Sequence, residues 1–229
     1  MSLLLYTNRY TISPSIVKGL LPMSTKKLGR PRKFEEHHVL EAVVQVFWEK
    51  GFEGASMSDF TAMTGLNKPS LYAAFGDKNA LYLRALTHYA ETKGSAGMRA
   101  FLAADTIGQA VEAFLQQALI LQTSGCATAK GCLLGNCAVA SVGSVPESAE
   151  LLRKIDDQTV SALTARFETA IQIGELAEGF PSAQRARLLA DLLSAQASAA
   201  RLGSSYEALS EAIGWKCALV LSDSGKTVL

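Results

Sequence analysis

The sequence predicts an all-α fold with a small N-terminal three-helix domain followed by a larger helical domain. Apolar residues recur at helical spacing in residues 35–50 and in several later segments. Clusters of Gly, Pro and Ser separate these segments, as expected where helices end. No segment shows the alternation of apolar and polar residues that is typical of a half-buried strand.

Composition narrows the function classes. The chain has 229 residues, is 48% hydrophobic and carries a net charge of +1, so we expect a large buried surface, including one between subunits. An architectural DNA protein would be more basic overall. No apolar run approaches the roughly 18 residues that span a bilayer, and residues 1–22 do not resemble a signal peptide. No membrane partner is therefore expected. The four cysteines are too few for a disulfide scaffold in a chain of this size, so a cytoplasmic location is expected.

The first predicted helix covers residues 35–50 and ends at Gly51. Its apolar residues fall on one face of the helix. They are Val39, Ala42, Val43, Val46 and Phe47.

A helix-turn-helix is predicted in residues 56–76. Ser56 and Asp59 fit a capping box for a helix that stops at Gly65. Asn67 caps the next helix, Pro69 lies in its first turn and Gly76 closes it. Two short helices joined by a Gly-containing turn can place the second helix in a DNA major groove.

The rest of the chain is predicted to be helical. Asp77 caps a fourth helix that runs to about residue 93, and the small-residue-rich segment 94–105 marks the expected domain boundary. Further helices are expected at 107–121, 132–142, 147–173, 182–202 and 206–221. The predicted regions are a flexible extension with a basic arm (1–34), a helix-turn-helix domain with its linking fourth helix (35–93), and a helical ligand-binding and dimerisation domain (94–229).

Residues 35–93 resemble the DNA-binding domain of the TetR family of bacterial transcriptional repressors. The similarity rests on Phe47, Gly51-Phe52, Ser56, Gly65, Lys68-Pro69-Ser70-Leu71-Tyr72, Phe75, Lys78, Ala80 and Leu81. It implies a homodimer that binds a palindromic operator in duplex DNA and responds to an unidentified small-molecule inducer, without a cofactor or an enzymatic reaction. Many members carry His or Tyr where this chain has Ala74.

The resemblance implies which residues contact DNA. Lys68 and Ser70 reach base edges or phosphates, Pro69 and Ala73 touch a thymine methyl, and Tyr72 donates to a phosphate. Asn67, Ser56 and Ser58 are further candidates for phosphate contacts, although Ser56 and Asn67 are also expected to cap helices. Lys78, at the N-terminus of the fourth helix, is expected to clamp a phosphate.

A basic arm precedes the first helix. Residues 23–34 contain five Lys or Arg and no acid, and Gly29-Arg30-Pro31-Arg32, which Lys33 follows, resembles arms that lie in A·T-rich minor grooves. The alternative is a tail that adds only non-specific affinity.

The predicted ligand-binding domain contains a cysteine cluster, Cys126, Cys132 and Cys137, that matches no common zinc spacing. These residues are either buried small apolar side chains or, through Cys126 or Cys132, a sensor for oxidants or a soft metal such as Cu(I). Cys132 and Cys137 are expected on one α-helix, five residues apart, and so on different faces. His88 and Phe114 are candidate ligand contacts, and the three histidines show no metal-binding spacing in the sequence.

Ala-rich, Leu-studded segments near the C-terminus suit close helix packing between two subunits. The candidate interface residues are Leu188, Leu189, Leu192, Ala195, Ala199, Leu209 and Ile213. A small helical enzyme or ligand carrier is the alternative from another functional class, but residues 95–229 offer no evident acid–base pair for it.

Overall fold

A computed structural model describes residues 36–124 and 131–222 of the chain. The predicted arm residues Arg30, Pro31, Arg32 and Lys33, and Cys126, lie outside these ranges. The helices are α1 (Glu36–Gly54), α2 (Met57–Thr64), α3 (Lys68–Phe75), α4 (Lys78–Glu91), α5 (Ala96–Ala103), α6 (Ile107–Thr123), a π-helix (Leu133–Ala138), α7 (Glu147–Gln172), α8 (Ser182–Arg201), α9 (Tyr206–Ser210) and α10 (Ile213–Leu221). The described residues contain no strand, which confirms the all-α prediction.

An aromatic core holds the first four helices together. Phe47 of α1 is fully buried, and its ring centroid lies 4.8 Å from that of Phe60 on α2 and 4.6 Å from that of Tyr82 on α4. The chain breaks at Gly51, whose φ of 69° is outside the helical region, and this returns Phe52 to the same core, 4.9 Å from Tyr82. The predicted end of the first helix at Gly51 is therefore a kink within α1.

The segment 94–105 was expected to be a boundary, but most of it forms α5. Its apolar residues Met98, Phe101 and Leu102 have helical spacing and pack against α6. The ring of Phe101 lies 5.7 Å from that of Phe114, and the small Gly97 lets the two helices approach closely. The small residues of this segment therefore mark a close contact between α5 and α6.

The predicted helix 132–142 begins as a π-helix. The Asn136 side chain accepts a hydrogen bond from the Cys132 backbone N–H (2.8 Å) and so starts the turn. Since the wider π-helical turn bonds residues five apart, Cys132 and Cys137 face the same core, contrary to the expectation for an α-helix. Further on, the predicted helix 206–221 is two helices, α9 and α10.

A second hydrophobic cluster fills the C-terminal helices. It contains fully buried side chains of α6, α7 and α8, such as Leu115, Phe167 and Leu189, together with Ile213 of α10.

Among the described helices, none is both long enough and apolar enough to cross a membrane.

Side chains of helix α4 form hydrogen bonds with residues of the segment 132–141. The Tyr82 hydroxyl pairs with Ser141 Oγ at 2.9 Å, and the Tyr89 hydroxyl donates to Cys132 Sγ at 3.7 Å. Burial raises the pKa of Tyr82 to about 12, so this hydroxyl keeps its proton at neutral pH. Leu133 and Val145 belong to the same hydrophobic cluster as α1–α4, so this cluster crosses the predicted boundary near residue 94.

We predict that Phe47→Ala lowers the free energy of unfolding by about 3–5 kcal/mol, because the lost ring leaves a cavity between three helices. The control is Ile120→Ala, at a side chain that is 47% exposed, where a change within about 0.5 kcal/mol is expected. Urea unfolding followed by circular dichroism measures both. Equal losses in the two variants would contradict the central role of Phe47.

Candidate nucleic-acid interface

Local hydrogen bonds shape the helix-turn-helix. Gly65 adopts a left-handed conformation (φ 70°) after α2, and its N–H bonds to Thr61 O at 3.0 Å. Asn67 then caps α3, since its Oδ1 accepts from the Ser70 N–H at 2.9 Å. The predicted turn and both caps are present, and they fix the direction in which α3 leaves α2.

Helix α3 has one buried and one exposed side. Leu71 and Phe75 are buried in the hydrophobic cluster that joins α1–α4. The predicted DNA-contacting residues are on the surface: Lys68, Pro69, Tyr72 and Ala73 are exposed, and Ser70 is half-buried. Tyr72 is 49% exposed, which leaves this aromatic side chain available to a partner. The structure thus places these candidates together on one short helix.

Arg84 of α4 contacts the last turn of α3, although the sequence did not predict this role. Its Nη1 donates to the carbonyl oxygen of Ala74 at 3.0 Å, and its guanidinium lies 4.8 Å from the centre of the Phe75 ring. It also forms an ion pair with Glu36 of α1. No sequence motif pointed to this contact, because Arg84 and Ala74 meet only when α3 and α4 pack.

Lys78 lies at the start of α4, as predicted, and its ammonium group contacts an aromatic ring. Its Nζ is 4.4 Å from the centre of the Phe52 ring, a cation–π contact. Asp77 caps the helix by accepting from the Ala80 N–H at 2.8 Å. The Phe52 contact holds Lys78 near the helix N-terminus, where backbone N–H groups favour an anion.

The Ser56 hydroxyl is used by the fold. It accepts from the Asp59 N–H (3.3 Å) and donates to Asp59 Oδ2 (2.7 Å). The Ser56 backbone N–H also donates to Asp59 Oδ2 (2.9 Å), which completes the predicted capping box. Lys50 of α1 donates to the other carboxylate oxygen of Asp59 at 2.5 Å. The bonds from Lys50 and Ser56 lower the pKa of Asp59 from 3.8 to about 2. Ser58 is exposed at the same helix start, as is Ser56.

Of the predicted ligand contacts, Phe114 is buried beside Phe101, and Cys132 is half-buried beside Tyr89. Burial raises the pKa of the Cys137 thiol, as expected for a packing residue. Thiol sensing through Cys132 stays a prediction.

His88, another candidate ligand contact, faces α1, where it lies beside His37 and Glu41. Burial, then the charge of nearby His37, lowers its pKa, so the ring is neutral at pH 7. Donor atoms of His37, Glu41 and His88 lie within 4.8 Å of one another, a grouping able to hold a metal ion.

The predicted dimer residues divide into two groups. Ala195 is exposed, and Leu188, Leu192, Ala199 and Leu209 are half-buried. Leu189 and Ile213 are buried within the protomer, so they were wrongly assigned to a surface. Both side chains belong to the second hydrophobic cluster. Trp215 and Leu219 of α10, which were not among the predicted residues, are 82% and 47% exposed.

The fold and the exposed side of α3 define a helix-turn-helix DNA-binding regulator. A model of the bacterial regulatory proteins of the tetR family matches residues 39–85. An uncharacterised HTH-type transcriptional regulator of Bacillus subtilis, YezE, is 30% identical over 149 residues, covering 65% of this chain and 76% of that protein. The Escherichia coli HTH-type transcriptional repressor BdcR is 43% identical over 75 residues, covering 31% of this chain and 38% of that protein.

A solved structure agrees over most of the chain. A cysteine-substituted CifR, a TetR family regulator in complex with 26-bp operator DNA, has a TM-score of 0.74 and 26% identity, covering 82% of this chain and 98% of that one. This protein belongs to the TetR family of bacterial transcriptional regulators, and it is not an enzyme.

We predict that Asp59→Asn lowers the melting temperature at neutral pH, because the amide cannot replace the charged acceptor of Lys50. A carboxylate with a depressed pKa contributes its full stabilisation above its ordinary value of 3.8 and loses it as the pH falls towards 2. The difference in melting temperature between Asp59→Asn and wild type should therefore narrow as the pH falls from 3.8 towards 2. Glu53→Gln, at an exposed acid of α1, is the control, and a constant difference at all pH values would contradict the role of Asp59.

Proposed function

We propose that the protein is a repressor that binds a palindromic operator as a homodimer and is released by a small-molecule inducer. The surface of α3 formed by the exposed Lys68, Pro69, Tyr72 and Ala73 and the half-buried Ser70 carries this proposal. A helix with its apolar side buried and a polar, aromatic side exposed fits a major groove. The name of BdcR and the operator complex of CifR support the same function.

Each exposed residue of α3 has a role in this proposal. Lys68 and Ser70 read base edges or phosphates, and Pro69 and Ala73 contact a thymine methyl. The Tyr72 hydroxyl donates to a phosphate, as does the Lys78 ammonium from the start of α4. Asn67 presents its side-chain NH₂ group, because only its oxygen is used by the cap.

The proposed regions are the basic arm (1–34), the DNA-binding domain (35–93) and the ligand-binding and dimerisation domain (94–229). In the first, Arg30, Pro31, Arg32 and Lys33 follow an adjacent A·T-rich minor groove. Such a regulator works in the cytoplasm, where the operator is.

Two copies associate through α8 and α10. Leu188, Leu192, Ala195 and Ala199 lie on one side of α8, and Trp215 and Leu219 are one turn apart on α10. An exposed apolar surface of this kind favours burial against a partner. A two-fold dimer sets its two α3 helices one DNA turn apart, about 34 Å, which matches a palindromic site.

The inducer acts through α4. This helix holds α3 through the Arg84–Ala74 hydrogen bond and is itself held by the Tyr82–Ser141 bond. A ligand bound among the C-terminal helices that favours another position of α4 changes the separation of the two α3 helices. It shifts the protein off DNA only to the extent that it prefers that state.

We expect a sharp, competitor-resistant gel shift with DNA from upstream of the protein's own gene. Tyr72→Phe and Lys78→Ala should each weaken this binding, because each removes a phosphate contact. Loss of Lys78 should reduce the slope of log K against log salt by about one unit. Circular dichroism of each variant checks that the fold is retained.

The matched control is Arg153→Ala, at an exposed basic residue of α7, which should leave affinity and salt slope unchanged. If Tyr72→Phe and Lys78→Ala bind like the control, the proposed docking is wrong. Absence of any specific shift would favour a ligand carrier.

We predict that Trp215→Arg converts the dimer to a monomer, because the substitution places a charge in an apolar interface without a partner. Light scattering coupled to size exclusion measures the mass. Ile173→Arg, at a side chain that is 62% exposed beyond the end of α7, is the control and should stay dimeric. A dimeric Trp215→Arg variant would locate the interface elsewhere.

A further inference from the structure

Two histidines and a glutamate from two helices meet where α1 begins and α4 ends. His37 and Glu41 are one turn apart on the same face of α1, and His88 lies in the last turn of α4. The rings of His37 and His88 are 4.8 Å apart between centroids, and His88 Nε2 is 3.9 Å from Glu41 Oε1. One donor atom of each residue lies within 4.8 Å of the other two.

His88 presents a buried ring nitrogen to this grouping. Its side chain is only 10% exposed, and Nε2 has no hydrogen-bond partner within the described residues. Burying a polar atom without a partner costs free energy, so such an atom in a folded protein calls for an explanation. A metal ion between His88 and the α1 side chains would supply the missing partner.

The donor set indicates the kind of ion. Two imidazoles and one carboxylate are a known set of protein ligands for four-coordinate Zn²⁺, in which a water takes the fourth position. Mg²⁺ and Ca²⁺ prefer oxygen ligands and fit poorly. The charges that act on His88 include Glu41 and Glu91, which favour a cation, and Lys93 and His37, which oppose it when protonated.

The distances require a small adjustment. Tetrahedral bonds of about 2.0–2.1 Å place donor atoms about 3.4 Å apart, closer than the 3.9 Å between His88 and Glu41. The buried His88 is fixed by its surroundings, whereas His37 is exposed and the Glu41 side chain is 39% exposed. These two α1 side chains are therefore the ones that must rotate to close the site.

We propose that His37, Glu41 and His88 form a binding site for a divalent transition-metal ion of the Zn²⁺ class. The bound ion joins the first turn of α1 to the last turn of α4 and fixes the packing of the DNA-binding helices on their linking helix. This site is separate from the exposed surface of α3, and it does not rest on the proposed repressor function.

The test is a Zn²⁺ titration of the untagged full-length protein in competition with a chromophoric chelator. One ion per chain should bind, and His37→Gln and Glu41→Gln should each weaken binding at least about tenfold. His88→Gln should do the same, and the two α1 variants keep the test valid if that buried substitution disturbs folding. His38→Gln, at the neighbouring exposed histidine, is the matched control and should bind like wild type.

Two further measurements separate this site from the cysteines. Zn²⁺ should raise the melting temperature of wild type and of His38→Gln, but not of Glu41→Gln. Co²⁺ bound in place of Zn²⁺ should show tetrahedral d–d bands without thiolate charge-transfer absorption. The proposal is overturned if Zn²⁺ does not bind, if the three substitutions leave binding unchanged, or if the Co²⁺ spectrum shows thiolate ligation.

Discussion

The packing of aromatic rings around Phe47 is the contact on which the DNA-binding end of the protein depends. Phe47 touches rings from α2 and α4 and stacks on Phe52 beyond the Gly51 kink. Helix α3 adds only Leu71 and Phe75 to the buried surface, too little to stabilise eight residues as an isolated helix. The aromatic core therefore acts as a platform that holds a short, mostly exposed helix in one orientation.

Helix α4 connects this platform to the rest of the protein. On one side Arg84 bonds to the last turn of α3, and on the other Tyr82 and Tyr89 bond to the segment 132–141. Since tightly packed cores transmit displacements, a shift of α4 moves α3 with it. The proposed response to an inducer and the proposed metal site both act on this helix, at different points along it.

Polar residues of the helix-turn-helix differ in how far the fold already uses their hydrogen-bonding groups. The Ser56 hydroxyl is committed to its capping box, and Lys50 to Asp59. Tyr72 and Lys68, in contrast, stand exposed on α3. The polar residues that cap helices can thus be told from those that stay available to a partner only when their hydrogen bonds are known.

The sequence by itself determined the all-α class and the helix-turn-helix with its caps at Ser56, Asn67 and Asp77, because these depend on local spacing and capping. The resemblance of residues 35–93 indicated the family. The tertiary structure alone decided the role of α5, the π-helix that turns Cys132 and Cys137 to one side, and the burial of Leu189 and Ile213. It also decided that His88 meets His37 and Glu41, residues far apart in the chain. Helical periodicity identifies the apolar face of a helix, but which helix covers that face depends on how all the helices pack.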